Sequence, residues 1–134
     1  MKRITRRQAQ AWLAPMRKAL RQIADTGEAD AVQGYAVTRL HTGDDYARVD
    51  YCIAGFRALM ARLWPDLDCT ALAKIEKRLA AGVLLERDDL VAVFQLLNDV
   101  EKKLMKRTVR DVKAAVLAEQ IAIEFEQIGI REAA

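Results

Sequence analysis

Leu90-Val91-Ala92-Val93-Phe94-Gln95-Leu96-Leu97-Asn98-Asp99-Val100-Glu101-Lys102-Lys103-Leu104 is the stretch that decides the fold. Leu90, Val93, Phe94, Leu97, Val100 and Leu104 recur at intervals of three and four, which places them on one stripe of an α-helix. No glycine or proline occurs between Val83 and Ile128, so nothing in the backbone chemistry interrupts a helix there. The region fits one long helix, or two with a break near Lys106-Arg107-Thr108. In the second case Thr108-Val109-Arg110-Asp111 resembles a capping box. Glu86 to Asp89 puts acids at the start, where the helix dipole favours them, and Gly129 is expected to end the last helix.

Upstream, Thr5-Arg6-Arg7-Gln8 fits a capping box that opens a helix running to Thr26, with Gly27 as its left-handed cap. Ala9, Trp12, Leu13, Met16, Leu20 and Ile23 share one arc of it, and Pro15 predicts a kink or a restart. A second long helix is expected from about Asp45 to Trp64, capped by Asp44 or Asp45 and stopped by Pro65. Its apolar set begins with Tyr46 and Val49 and continues through Ile53, Phe56, Met60 and Leu63. Asp68 or Thr70 caps a short helix bearing Leu72, Ile75 and Leu79 that ends at Gly82. Val83-Leu84-Leu85 then reads as an apolar connector tucked against the core.

Residues 28–44 carry two readings. Gly34 to Leu40 is rich enough in β-branched and aromatic residues for a short strand, while Val32, Tyr35, Ala36, Arg39 and Leu40 also fit a helical stripe. His41 to Asp45 is a turn in either case. The expected architecture is all-α, a bundle of about five helices with room for a short strand or hairpin within residues 34–50. One domain spanning residues 1–134 is the economical organisation.

The composition excludes disorder, because 52% of the 134 residues are hydrophobic and 31% are charged with signs nearly balanced. Cys52 and Cys69 have no metal-binding or redox spacing and suit small buried hydrophobes in a reducing compartment. The charged start is not followed by an apolar signal region, and no run is long enough to span a membrane. A cytoplasmic protein without a membrane partner is expected.

His41 is the sole histidine, so histidine pairs and multi-histidine metal sites are excluded. No phosphate-binding glycine loop, nucleophile elbow or zinc spacing occurs, and no catalytic residue, metal ligand or cofactor is assigned. A small enzyme built on carboxylates is the weakest of three functional readings. Two charges intrude on apolar arcs: Glu101 between Leu97 and Leu104, and Arg57 beside Phe56 and Met60. Each is either half of a register-fixing ion pair or a long side chain reaching outward to water.

Two surfaces invite partners. Residues 1–24 hold seven of the 22 cations and no acid, so the remaining chain sets 15 cations against 19 acids, a net −4. On a continuous helix Arg3, Arg6, Arg7, Arg17, Lys18 and Arg21 fall opposite the apolar arc. That face suits an acidic protein groove or nucleic-acid phosphates. A second basic cluster, from Lys102 to Lys113, is interrupted by Asp111 and preceded by Asp99, and it reads as an exposed mixed-charge helix.

The last helix carries two apolar stripes, one with Val109, Val112, Val116 and Ile123, the other with Leu117, Ile121, Phe125 and Ile128. Two stripes imply burial from two directions, either at the centre of the bundle or in a homodimer interface. The expected function is a non-enzymatic helical interaction protein, homo-oligomeric, that binds an acidic partner through its basic leading helix. The alternative is a nucleic-acid-binding regulator using the same cations.

Overall fold

The computed structural model describes residues 2–26, 36–42, 45–51 and 53–119. They form a helical bundle carrying one β hairpin. In order these are α1 (Arg6–Thr26), β1 (Ala36–Thr42), β2 (Asp45–Tyr51), α2 (Ile53–Leu63), α3 (Thr70–Ala80), α4 (Arg87–Leu104) and α5, helical over residues 109–119.

The capping box of α1 forms as its residue types dictate. Thr5 N–H donates to Gln8 Oε1 at 2.8 Å and Gln8 N–H donates to Thr5 Oγ1 at 3.1 Å. The helix runs without restart through Pro15, because both flanks of the proline bury the same face: Trp12 and Leu13 before it, Met16 and Leu20 after it. Burying those side chains outweighs the one backbone bond that proline forfeits.

The largest departure from the sequence reading lies at residues 45–51. They form β2, antiparallel to β1 in register from Ala36↔Tyr51 to Thr42↔Asp45, and helix begins only at Ile53. The expected helix from Asp45 and its cap at Asp44 or Asp45 are therefore corrected. Tyr46 and Val49 have the helical spacing, yet the seven-residue ladder and the packing of β1 on α1, where Leu40 is fully buried, stabilise the strand instead. The strand alternative for residues 34–40 holds from Ala36 onward, and so does the hairpin allowed for within residues 34–50.

The α3 helix ends in a Schellman motif. Val83 N–H donates to Arg78 O at 2.9 Å, Gly82 N–H donates to Leu79 O at 3.2 Å, and Gly82 sits at φ +68°. The chain then turns outward: Leu84 is 76% exposed and Val83 48%, so only Leu85 of that connector packs on the core. Gly82 closes the turn in a direction that leaves Leu84 largely, and Val83 about half, in solvent.

Residues 86–119 form two helices. Glu86 and Asp89 close a reciprocal capping box on α4, the helix stops at Leu104, and Thr108 starts α5. Thr108 N–H donates to Asp111 Oδ2 at 3.1 Å and Asp111 N–H to Thr108 Oγ1 at 3.2 Å. Thr108 and Asp111 offer a local alternative to continued helix, and the bend lets Val109 and Val112 turn into the core that Leu104 closes.

One continuous core unites the described elements. Trp12, Leu40, Phe56, Ile75, Leu97 and Val112 are each fully buried, and the Trp12 and Phe56 rings lie 6.0 Å apart. Helices α1 and α4 pack antiparallel at its centre. Among the described residues no helix is long and apolar enough to cross a membrane.

Candidate functional site

The leading segment does more than open α1. Ile4, 2% exposed, is a hydrophobic anchor, and its N–H donates to Arg107 O at 2.8 Å. Arg3 pairs antiparallel with Thr108. These contacts dock residues 2–5 against the bend between α4 and α5, and so bring two basic segments together. Residues 2–7 contain Lys2, Arg3, Arg6 and Arg7; residues 102–110 contain Lys102, Lys103, Lys106, Arg107 and Arg110; neither contains an acid. Setting these nine aside leaves 13 cations against 19 acids elsewhere, a net −6. Among the described residues the other twelve cations face thirteen acids, so the net positive charge they carry gathers at one end of the α1/α4 pair.

The six cations expected on the α1 face divide. Arg17 Nη1 donates to Glu101 Oε1 at 3.0 Å and its Nη2 to Asn98 Oδ1 at 3.0 Å, and both charged side chains are about six-sevenths covered, 16% and 14% exposed. Arg21 lies over the Phe94 ring at 5.9 Å, a cation–π contact. Arg6 is exposed and touches Glu101 at 4.0 Å. Arg17 therefore serves the α1/α4 seam and is withdrawn from the open face, while Arg21 touches the seam through Phe94 and stays exposed. Arg3, Arg7 and Lys18 are exposed.

Among the described residues, Lys2, Arg3, Arg7, Lys102, Lys106 and Arg110 are exposed and without an ion pair, and they form the open cationic surface. Arg107 supports it from below, donating from Nη2 to Leu63 O at 2.6 Å and lying over the Trp64 ring at 6.0 Å. The nearby acids are mostly engaged: Glu101 by Arg17, and Asp111 in the α5 capping box. Exposed Asp99 borders the surface one turn before Lys102. Reading the second basic cluster as merely a mixed-charge helix missed this junction. No local signal could reveal it, because the partners lie about a hundred positions apart.

Both intruding charges are ion-paired. Glu101 joins α4 to α1, and Arg57 Nε donates to Glu76 Oε2 at 2.9 Å, joining α2 to α3 with both side chains half-buried. Lys74 and Arg78, one turn apart on α3, converge on Asp89 at 2.9 and 3.3 Å. Arg62 also pairs with Glu119, fastening α5 to α2.

Of the expected oligomer stripe, Leu117 is described and is 57% exposed, while Ile121, Phe125 and Ile128 lie outside the described residues. On α5, Val109 and Val112 are buried and Val116 packs against the core. Over residues 109–119 the helix is therefore one-sided rather than central, and Leu117 belongs to its outer face.

A groove of about 430 Å³ lies between the C-terminal part of α1 and the turn before α4, lined by apolar side chains that include Ile23, Leu79, Leu84 and Leu90. Arg87 is the one charged residue of its lining, which supplies no pair of groups for acid–base work. Burial, and then the Asp68 charge, pushes the Cys69 thiol up from its ordinary value, which disfavours the nucleophilic thiolate. Among the described residues no group of three or more histidines, cysteines or carboxylates is placed to hold a metal ion. His41 lies in β1 and Cys52 outside the described residues. The chain matches no protein-family model, and no curated protein or solved structure is detectably similar to it.

Proposed function

We propose that this chain is a helical interaction protein that docks an acidic partner on the basic end formed by residues 2–7 and 102–110. One observation carries the reading: the Ile4–Arg107 backbone bond unites two acid-free basic segments into a single surface on an otherwise acidic chain. Concentrated charge of one sign raises the local concentration of oppositely charged partners and speeds their encounter. The surface is held by rigid elements, since Ile4 is anchored in the core and Arg107 is fixed to α2 and Trp64.

Self-association is the second part of the proposal. Exposed Leu117 starts a stripe of the sequence that continues as Ile121, Phe125 and Ile128, and apolar residues at that spacing suit an isologous pairing with a second copy. Two basic ends in one dimer would reinforce each other on an extended anion.

Binding to soluble polyanions (poly-L-glutamate and heparin) at low salt tests the first part. The chain should bind, and Lys102→Glu with Lys106→Glu should abolish retention. Lys77→Glu with Arg87→Glu, an equal charge change on exposed residues at the other end of α4 and on α3, should leave it nearly unchanged. Equal loss from both pairs would show a response to net charge alone and remove the assignment of the site.

A further inference from the structure

We infer that the anion recognised by the basic end is the phosphate backbone of a nucleic-acid duplex, bound without regard to base sequence. This rests on the reading of that end as the partner surface and adds the chemistry of the partner. The argument is one of composition at the surface. A groove on a partner protein is normally met by a desolvated apolar or aromatic centre, with lysine depleted there. The open surface here is instead Lys2, Arg3, Arg7, Lys102, Lys106 and Arg110, and among the described residues its one exposed large apolar neighbour is Met105 at 36%.

Long, separately mobile cations without an apolar anchor suit a ligand whose charges are dense, regular and water-facing, as phosphates along a duplex are. No aromatic residue occurs in residues 2–7 or 102–110, and the nearby Trp64 is half-buried with Arg107 over its ring, so these two segments offer no open stacking platform for unpaired bases. Nor is a helix presented side-on for groove reading, because the cations come from a docked arm, a helix end and a bend. Backbone contact without base readout is what this arrangement can deliver. The first turns of α1 and α5 both start beside the arm, and their dipoles add positive potential although their capping boxes already engage the side chains of Thr5 and Thr108.

Fluorescence anisotropy of the full chain with a labelled duplex of about 20 base pairs tests this. If four of the six cations cover phosphates at once, the slope of log affinity against log salt is about −3.6. Affinity then falls about 150-fold between 50 and 200 mM salt. Lys102→Glu with Lys106→Glu should weaken binding at least about tenfold and flatten the slope by about 2, whereas Lys77→Glu with Arg87→Glu should change neither. Arg87 lies about 22 Å along α4 from Lys102, beyond reach of the same contact.

Lys102→Gln with Lys106→Gln, checked by its melting curve, gives a milder variant should the reversal disturb folding. Two unrelated duplexes should bind equally, and an unpaired strand of the same length more weakly. Absence of duplex binding at 50 mM salt overturns the inference, as does preference for the unpaired strand, or binding indifferent to the Lys102 and Lys106 changes. Poly-L-glutamate bound more tightly than duplex, still through those lysines, would sink the duplex while the acidic-partner reading stands. If neither probe binds in a lysine-dependent way, both fall.

Discussion

At Asp89 three donors meet one carboxylate. Lys74 and Arg78 approach at 2.9 and 3.3 Å, Glu86 N–H donates at 3.2 Å, and the residue is 4% exposed. The Lys74 hydrogen bond leads in holding its carboxyl below the usual range; the Glu86 bond and the two cations add to it, against the opposing effect of burial. A carboxyl lowered in the folded state takes up its proton more readily in the unfolded chain. Its stabilisation is present above the ordinary carboxylate range and is lost as pH falls through that range and below. Thermal melts from pH 7 down to pH 3 should show a falling midpoint, and Asp89→Asn should lower the neutral-pH midpoint while flattening that acid limb. Asp68, lowered by its bonds from Thr70, acts in the same direction, so the limb should shrink rather than vanish. Glu101 offers a comparison without a lysine. Glu101→Ala leaves the mostly covered Arg17 with Asn98 alone, and urea titration should record a loss of about 1–3 kcal/mol.

The elements are delimited by caps that the residue types announce. Thr5 and Gln8 start α1, Glu86 and Asp89 start α4, Thr108 and Asp111 start α5, and Gly82 ends α3. Thr108→Ala should cost about 1 kcal/mol, and hydrogen exchange should quicken chiefly in the first turn of α5, with α1 keeping its protection. Where no cap speaks, periodicity misleads. Tyr46, Val49 and Ile53 have the spacing of a helix face, but the first two lie in β2 because pairing with β1 supplies ladder bonds that a helix model of the segment does not weigh. Gly43-Asp44, two residues between two seven-residue runs, is itself a hairpin signature and was the available clue. The exposed turn at Val83 and Leu84 had no comparable local sign, since hydrophobicity alone argues for burial.

For the whole molecule, the basic end and the outer face of α5 are separate surfaces that can be tested apart. Sedimentation at high micromolar concentration should show a homodimer, and Leu117→Asp should dissociate it with little loss of thermal stability, because Leu117 is 57% exposed. A monomer at that concentration removes the self-association proposal and leaves the basic end untouched. Unfolding of Leu117→Asp would mean that the stripe belongs to the core instead.

From sequence alone came the helical class, the start of α1, the end of α3, the inward stripes of α1, α3 and α4, and the start of α5 as one of two readings. Each follows from interactions within about four residues or from the period of apolar burial, which local chemistry encodes. Tertiary structure decided between helix and hairpin for 45–51, closed Arg17 on Glu101, and brought Ile4 to Arg107. Those outcomes depend on partners 81 or more positions away for Arg17, and on a ladder and a docked arm whose energy exists only once the core has formed. The candidate basic site belongs to that second class: each half was legible as charge, and only the packed bundle makes the halves one surface.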